Sequence, residues 1–147
     1  MIRIEGADEV IAMIEKNTDT SKLTGAVDKA CLFVEGEARR KAPKRTGELR
    51  RSIESKVENN GDEIIGTVFT PLEYAPYVEY GTGLFAESGG RKDVPWAYVD
   101  EKTGKLIWTS GQHPNPFMRP ALNENRERIV GLIREGLKID WLSFWAC

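Results

Sequence analysis

The chain has 147 residues, a length typical of one domain with its own hydrophobic core. Its composition, 40% apolar and 30% charged, is that of an ordinary globular protein, and its formal charge of −2 excludes a general attraction to nucleic acid. No window reaches the roughly 18 apolar residues of a membrane span, and the alternating amino terminus predicts no signal peptide. We expect a single domain, residues 1–147, made in the cytoplasm.

The first part of the chain is predicted to be mainly helical. Ile2 and Ile4 alternate with charged residues as in a short strand, and residues 7–16 have the pattern of a brief helix. From Ser21, a favourable N-cap, apolar residues recur at three- and four-residue spacing until Pro43, which indicates one long amphipathic helix. The apolar face of that helix consists of Leu23, Val27, Ala30, Cys31, Val34 and Ala38.

The middle of the chain is predicted to form two β-hairpins. Alternating residues 53–58 and 64–70 are joined by an Asn-Gly turn, the strongest short hairpin signal, and Pro71 ends the second strand. Residues 74–80 suit a helical turn, and residues 84–92 suit an exposed, mobile loop. Residues 94–99 and 106–109 then predict a second hairpin, which carries Trp96 and Trp108.

The last predicted helix contains Pro120 in its first turn, where a missing amide proton costs nothing. Its apolar stripe consists of Leu122, Ile129, Leu132, Ile133 and Leu137. The predicted order is helix, helix, hairpin, hairpin, helix. We therefore predict an α+β fold, in which an antiparallel sheet of hairpins packs against the long helix and the carboxy-terminal helix.

Three sequence blocks occur in a fixed order and carry the functional information. They are APKRTGELRRSI (residues 42–53), YAPYVEYGT (residues 74–82) and NPFMRPAL (residues 115–122). Together they resemble the blocks of a family of small tail-completion proteins, the minor tail or head-to-tail joining proteins of long-tailed phages, named for the phage Hong Kong ninety-seven. The resemblance covers residues 23–137, but the segment 84–111 is longer and richer in tryptophan than the family pattern.

The resemblance implies a structural virion protein without enzymatic activity, cofactor or metal. Members of the family act at the neck of the virion and assemble as rings, so it implies a ring-forming adaptor needed for tail completion or head-to-tail joining. The implied partners are other copies of the chain, a portal-side connector, and tail-terminator or tail-tube proteins. The implied location is the virion neck or tail, after assembly in the cytoplasm of a bacterial host.

A basic corner surrounds the first block, where Pro43 stops the long helix, Thr46 can cap a short turn and Gly47 can take a positive φ. Three roles for its cations remain open: contact with double-stranded DNA in the neck channel, pairing with acidic residues of the next subunit, or a solvated helix end. The corner consists of Arg39, Arg40, Lys41, Lys44, Arg45, Arg50 and Arg51, opposed by Glu48.

Two aromatic groups are candidate interfaces with a neighbouring subunit or partner. In the second block, Tyr74, Tyr77 and Tyr80 surround Glu79, which we expect to accept hydrogen bonds from backbone amides or from an arginine of the basic corner. In the tail, residues 140–147, the aromatic side chains either fold back on the core or dock on a neighbour. They are Trp141, Phe144 and Trp145.

Two other functional classes have weaker sequence support. A small hydrolase would need His113, the single histidine, to pair with Glu79, Glu87 or Asp93, or with Cys31 as nucleophile. No phosphate loop, zinc-ligand pair or nucleophile elbow is present in the sequence. A non-specific nucleic-acid-binding protein would rely on the basic corner at residues 39–51, without a helix-turn-helix or a stacking platform.

Overall fold

A computed structural model of the chain describes residues 20–45 and 47–137. Within these residues, five α-helices and two small antiparallel sheets form the α+β fold that the sequence predicts. The helices are α1 (Thr20–Lys41), α2 (Glu48–Ser52), α3 (Ala75–Tyr80), α4 (Met118–Asn123) and α5 (Arg126–Leu137). The strands are β1 (Glu54–Asn59), β2 (Ile64–Phe69), β3 (Trp96–Val99) and β4 (Leu106–Thr109), and a 3-10 turn spans Gly83–Phe85.

The long helix α1 is the centre of the core. Its buried face consists of Ala26, Ala30, Cys31, Val34 and Ala38, which confirms the predicted stripe except that Leu23 and Val27 are half-buried. The β1–β2 hairpin packs closely on this face, because β2 presents Gly66, where a side chain would collide with the sulfur of Cys31. Helix α5 approaches α1 equally closely through Gly136, which lies against Ala26. Small residues therefore determine how closely these elements pack.

The first hairpin forms where the sequence predicts it. β1 pairs with β2 from Glu54 opposite Phe69 to Asn59 opposite Ile64, and Gly61 in the turn has φ 90°. The side chain of Asn59 accepts a hydrogen bond from the backbone N–H of Gly61 at 2.9 Å, and the backbone N–H of Asn60 donates to the oxygen of Glu63 at 3.0 Å. The hairpin predicted from the Asn-Gly pair is thus confirmed.

The predicted last helix is divided into α4 and α5. The side-chain amide of Asn125 donates a hydrogen bond to the backbone oxygen of Ala121 at 2.9 Å, while its own backbone oxygen accepts the N–H of Ile129. Asparagine competes for backbone groups in this way and favours helix ends over helix interiors. The prediction of one continuous helix was wrong at this point. Phe117 and Ala121, at the start of α4, are almost fully buried in the core.

The corner between α1 and β1 contains the short helix α2. Gly47 precedes α2 with φ 71°, so the predicted positive φ is confirmed. Helix α1 already includes Thr20, so Ser21 lies in its first turn and the prediction of Ser21 as the N-cap was wrong. The proposed cap by Thr46, the predicted elements of residues 1–19 and the aromatic tail lie outside the described residues.

Candidate functional site

The carboxylate of Glu79, near the end of α3, joins the second sequence block to the third. Only 4% of Glu79 is exposed. Its Oε2 accepts hydrogen bonds from the backbone N–H groups of Phe117 and Met118, at 2.8 and 3.0 Å. Its Oε1 accepts the backbone N–H of Arg119 at 3.1 Å. Glu79 thus satisfies N–H groups at the start of α4 that have no partner within the helix.

The hydrogen bonds also determine the charge of Glu79. Burial alone raises the pKa of Glu79, because it disfavours the charged form. The hydrogen bonds from Phe117, Met118 and Arg119 outweigh burial and hold the pKa below its ordinary value. Glu79 is therefore an anion at neutral pH, and the prediction that it accepts bonds from backbone amides is confirmed.

Arg119 extends this connection to the loop after α3. Its Nε donates to Glu79 at 2.9 Å, and its two terminal nitrogens donate to the two oxygens of Glu87 at 2.8 and 2.9 Å. Its guanidinium also lies 4.6 Å from the ring centroid of Tyr80. The hydrogen bond to Glu87, followed by that to Glu79, raises the pKa of Arg119. The arginine partner of Glu79 therefore belongs to the third block, not to the basic corner.

The segment after α3 packs closely against the base of the second hairpin. The backbone N–H groups of Thr82 and Leu84 donate to the oxygens of Gln112 and Ser110 at 2.9 and 3.0 Å. A Cβ atom at Gly83, whose φ is 61°, would collide with backbone atoms of Ser110 and Gly111. The second block thus holds the base of the hairpin by close backbone contact that only glycine permits.

The three tyrosines of the second block remain accessible around this buried connection. Tyr77 is 60% exposed and Tyr80 46%, and Tyr74 donates a long hydrogen bond to Glu48 at 3.4 Å. An open depression of about 360 Å³ lies beside Tyr77 and Tyr80. It is lined by Pro76, Tyr77, Tyr80, Gly81, Thr82, Gly83, Ala86, Ser88 and Gly90. The block therefore has a buried side, through Glu79, and an exposed aromatic side.

Several cations of the basic corner have partners within the chain. Arg39 pairs with Glu35 at 2.8 Å and donates two bonds to the backbone oxygen of Ile53. Arg50 donates to the backbone oxygens of Ala42 and Arg40, both at 3.0 Å. Arg50 satisfies carbonyl groups at the end of α1, and Arg39 satisfies the carbonyl group that follows α2. These bonds fix the conformation of the corner.

The remaining cations of the corner divide into two groups. Arg40 pairs with Glu37, and Lys41 pairs with Glu124. Lys44, Arg45 and Arg51 are exposed, and none of the three forms an ion pair with another described residue. Lys44 and Arg51 therefore keep their charges available for an external anion, while the charge of Arg45 also acts on Asp100.

The residues that a hydrolase would use are engaged in other contacts. Cys31 is buried in the core, and burial raises the pKa of its thiol, followed by the charges of Asp28 and Glu35. His113 is exposed and stacks on Phe85 with ring centroids 3.8 Å apart. Among residues 20–45 and 47–137, no cluster of ligands suits a metal ion. No helix of this described part is long and apolar enough to cross a membrane.

Three contributors to the site were not predicted from the sequence. The bonds of Arg119 to Glu79 and Glu87 were not predicted, because Arg119 lies 40 and 32 residues from them along the chain. The exposed apolar side chains of the second hairpin were also missed, namely Val99, Leu106 and Trp108. A signal for them was present: Leu106, Ile107 and Trp108 are consecutive, so both faces of that strand carry an apolar residue.

The comparisons with known proteins point to a phage structural component. The model of the HK97-gp10-like family, described as a tail component of bacteriophage HK97, matches residues 8–81, half of the chain. The match includes α1, the basic corner, the first hairpin and α3, and ends at Gly81, before the second hairpin. No curated protein and no solved structure was found to match the chain.

Proposed function

Because this chain belongs to the HK97-gp10-like family of phage tail components, we propose that it is a ring-forming adaptor of the virion neck, needed for tail completion or head-to-tail joining. Its proposed partners are further copies of itself, a portal-side connector, and a tail-terminator or tail-tube protein. The family description supports the tail and the structural role. The neck position and the ring are our proposal.

The observation that carries this proposal is an exposed aromatic surface on α3, a helix whose orientation is fixed by the buried hydrogen bonds of Glu79. Tyr77 projects from α3, while Glu79 in the same short helix is anchored to three backbone N–H groups and to Arg119. A rigid aromatic side chain loses little conformational entropy on binding, and tyrosine is enriched at interface cores. Tyr74, Tyr77 and Tyr80 are thus the proposed contact residues, and Glu79 is proposed to support that interface by orienting α3.

A phage or prophage with an early stop codon in this gene tests the proposal. We expect electron microscopy to show filled heads and separate tails, which join when the purified protein is added. A Tyr77→Ala protein should fold but fail to restore joining. A Leu32→Ala protein is the matched control, because Leu32 is also an exposed apolar residue (54%) but lies on α1. Normal virions without the gene product would refute the proposed function.

The free cations of the basic corner support a secondary contact with packaged DNA. Lys44, Arg45 and Arg51 are exposed and have no ion pair among the described residues, so they can approach phosphate without breaking one. Such contacts are insensitive to base sequence and weaken steeply with salt. The alternatives for the same cations are an acidic face of the next subunit and bulk solvent.

A charge-removal series distinguishes these alternatives. Replacing Lys44, Arg45 and Arg51 by glutamine should weaken binding to duplex DNA of any sequence and reduce its dependence on salt. Equal DNA binding by the variant and the wild type would exclude the DNA role. A loss of association between copies with no change in DNA binding would assign the cations to the subunit contact.

The aromatic tail is proposed as a docking segment for a neighbour or a neck partner. Trp141, Phe144 and Trp145 lie outside the described residues, so the proposal depends on their sequence alone. A chain that lacks residues 140–147 should keep its cooperative unfolding transition but fail to join heads to tails. Normal joining by this truncated chain would exclude the docking role.

A further inference from the structure

The second hairpin has two faces, which the pairing of β3 with β4 identifies. Ala97 lies opposite Trp108, and Val99 lies opposite Leu106. Residues directly opposite one another in an antiparallel pair point to the same side of the sheet. These four side chains therefore form one face, which we call the outer face. The inner face carries Trp96, Tyr98, Ile107 and Thr109.

The outer face is apolar and exposed. Val99 and Leu106 are each 60% exposed, and Trp108 is 65% exposed. Trp96 on the inner face is half-buried, and its ring approaches Gly83. A two-stranded hairpin is marginal in water unless one of its faces is covered, so the inner contact anchors the hairpin. Nothing in the described part of the chain buries the outer face.

A concave surface of matching character lies elsewhere on the same chain. The depression beside Tyr77 and Tyr80 is open, and Gly81 and Gly83 are among the residues that line it. Tyr77 and Tyr80 supply the aromatic rim, with Leu84 (57% exposed) nearby in the chain.

The two surfaces do not meet within one copy. Gly83 contributes to the depression, and the hairpin turns its inner face, with Trp96, toward Gly83. Because side chains alternate along a strand, Trp108 points to the opposite side of the hairpin. A contact between Trp108 and the depression therefore joins two copies through different surfaces, a heterologous contact that generates a ring when the rotation closes.

We propose that the outer face of the second hairpin docks in the Tyr77–Tyr80 depression of a second copy of this chain. This inference deepens the proposed ring and rests on that function. It assigns the two sides of the subunit contact: the projecting side is Val99, Leu106 and Trp108, and the receiving side is the depression beside Tyr77 and Tyr80. The hairpin lies outside residues 8–81, the segment that matches the family model.

The exposed apolar area of the outer face suits the core of a specific interface. Fully burying an aromatic side chain removes about 150–250 Å² from water. At 65% exposure, Trp108 therefore offers about 100–160 Å². With Val99 and Leu106, the outer face reaches roughly 300 Å², the size of the largest apolar patch on many monomers. That is over a third of the ~800 Å² that each partner buries in a standard interface, and it would form the apolar core of the contact.

Mixing two complementary variants of the full-length chain tests the proposal. A Trp108→Glu chain keeps its depression, and a Tyr77→Glu chain keeps its hairpin. We expect the wild type to associate with increasing concentration in sedimentation velocity, and each variant alone to associate at least about tenfold more weakly. Mixed in equal amounts, the two variants should form dimers and nothing larger, because the mixture restores one contact per pair. A Leu32→Glu chain, changed on α1, should associate like the wild type.

Several results would overturn the proposal. Undiminished association of either variant, or an absence of dimers in the mixture, would exclude this pairing of surfaces. If the wild type stays monomeric in solution, a photocrosslinker placed at position 108 in assembled particles decides instead. A crosslink to residues 76–90 of another copy supports the contact, and crosslinks only to other proteins refute it. The solution assay does not depend on virion assembly, so a failed neck role and a failed docking contact are distinguishable.

Discussion

Removing the carboxylate of Glu79 should destabilise the whole domain, although the residue lies beside an exposed surface. Glu79 joins α3 to α4 across about 40 residues of sequence, through three backbone N–H groups and the Nε of Arg119. In Glu79→Ala, those N–H groups lose their acceptor in a place that water reaches poorly, since Phe117 is only 1% exposed. Arg119 keeps Glu87 as a partner.

The magnitude follows from the number of bonds lost. Each buried donor left without a partner costs about 1–3 kcal/mol, and breaking a buried charged pair costs about 3–5 kcal/mol in all. Because Arg119 and Met118 are half-buried and retain some access to water, we expect about 3–4 kcal/mol for Glu79→Ala. Glu79→Gln keeps one oxygen but turns an NH₂ group toward other donors, so we expect it to lower the free energy of unfolding by about 2–3 kcal/mol.

Equilibrium unfolding in urea, followed by tryptophan fluorescence, measures this loss. With a slope of about 2 kcal/mol per molar, Glu79→Ala should lower the midpoint by about 1.5–2 M. Glu73→Ala is the matched control, because Glu73 is an exposed glutamate just before α3 and should leave the midpoint unchanged. A midpoint for Glu79→Ala within about 0.3 M of the wild type would refute the role assigned to Glu79.

Four further predictions concern pH, packing at two glycines, and the corner. The pKa of Glu79 is lower in the folded state than in the unfolded state, so the stability that its carboxylate contributes is complete above about pH 5 and is lost as the pH falls through the folded-state pKa. The free energy of unfolding of the wild type should therefore fall more steeply than that of Glu79→Gln between about pH 5 and pH 3. Gly66→Ala should destabilise by about 1–3 kcal/mol, because its methyl group would collide with Cys31. In Gly36→Ala the methyl group meets no atom within 4 Å on an exposed part of α1, so thermal unfolding should show a gain of about 0.5–1 kcal/mol. Arg50→Met should cost about 1–3 kcal/mol in urea unfolding by freeing two carbonyl groups near the end of α1, while Arg51→Met, at an exposed neighbour, should change nothing measurable.

The local features of this protein were predictable from its sequence. The spacing of apolar residues predicted α1 and most of its buried face, and the Asn-Gly turn predicted the first hairpin. The positive φ of Gly47 was also predictable, since glycine adopts it without steric cost. Each of these features depends on residues close together in the chain, so the periodicity of a helix or strand and the chemistry of a turn are sufficient to identify them.

The tertiary structure decided which distant groups meet. The sequence places Glu79 between Tyr77 and Tyr80, but only the fold brings it to the start of α4 and to Arg119. Likewise, Arg39 and Arg50 read as part of a free basic cluster until their bonds to backbone oxygens are seen. The physical reason is that a charge is satisfied by whatever partner packing brings within about 3 Å, and that partner is independent of the local spacing along the chain.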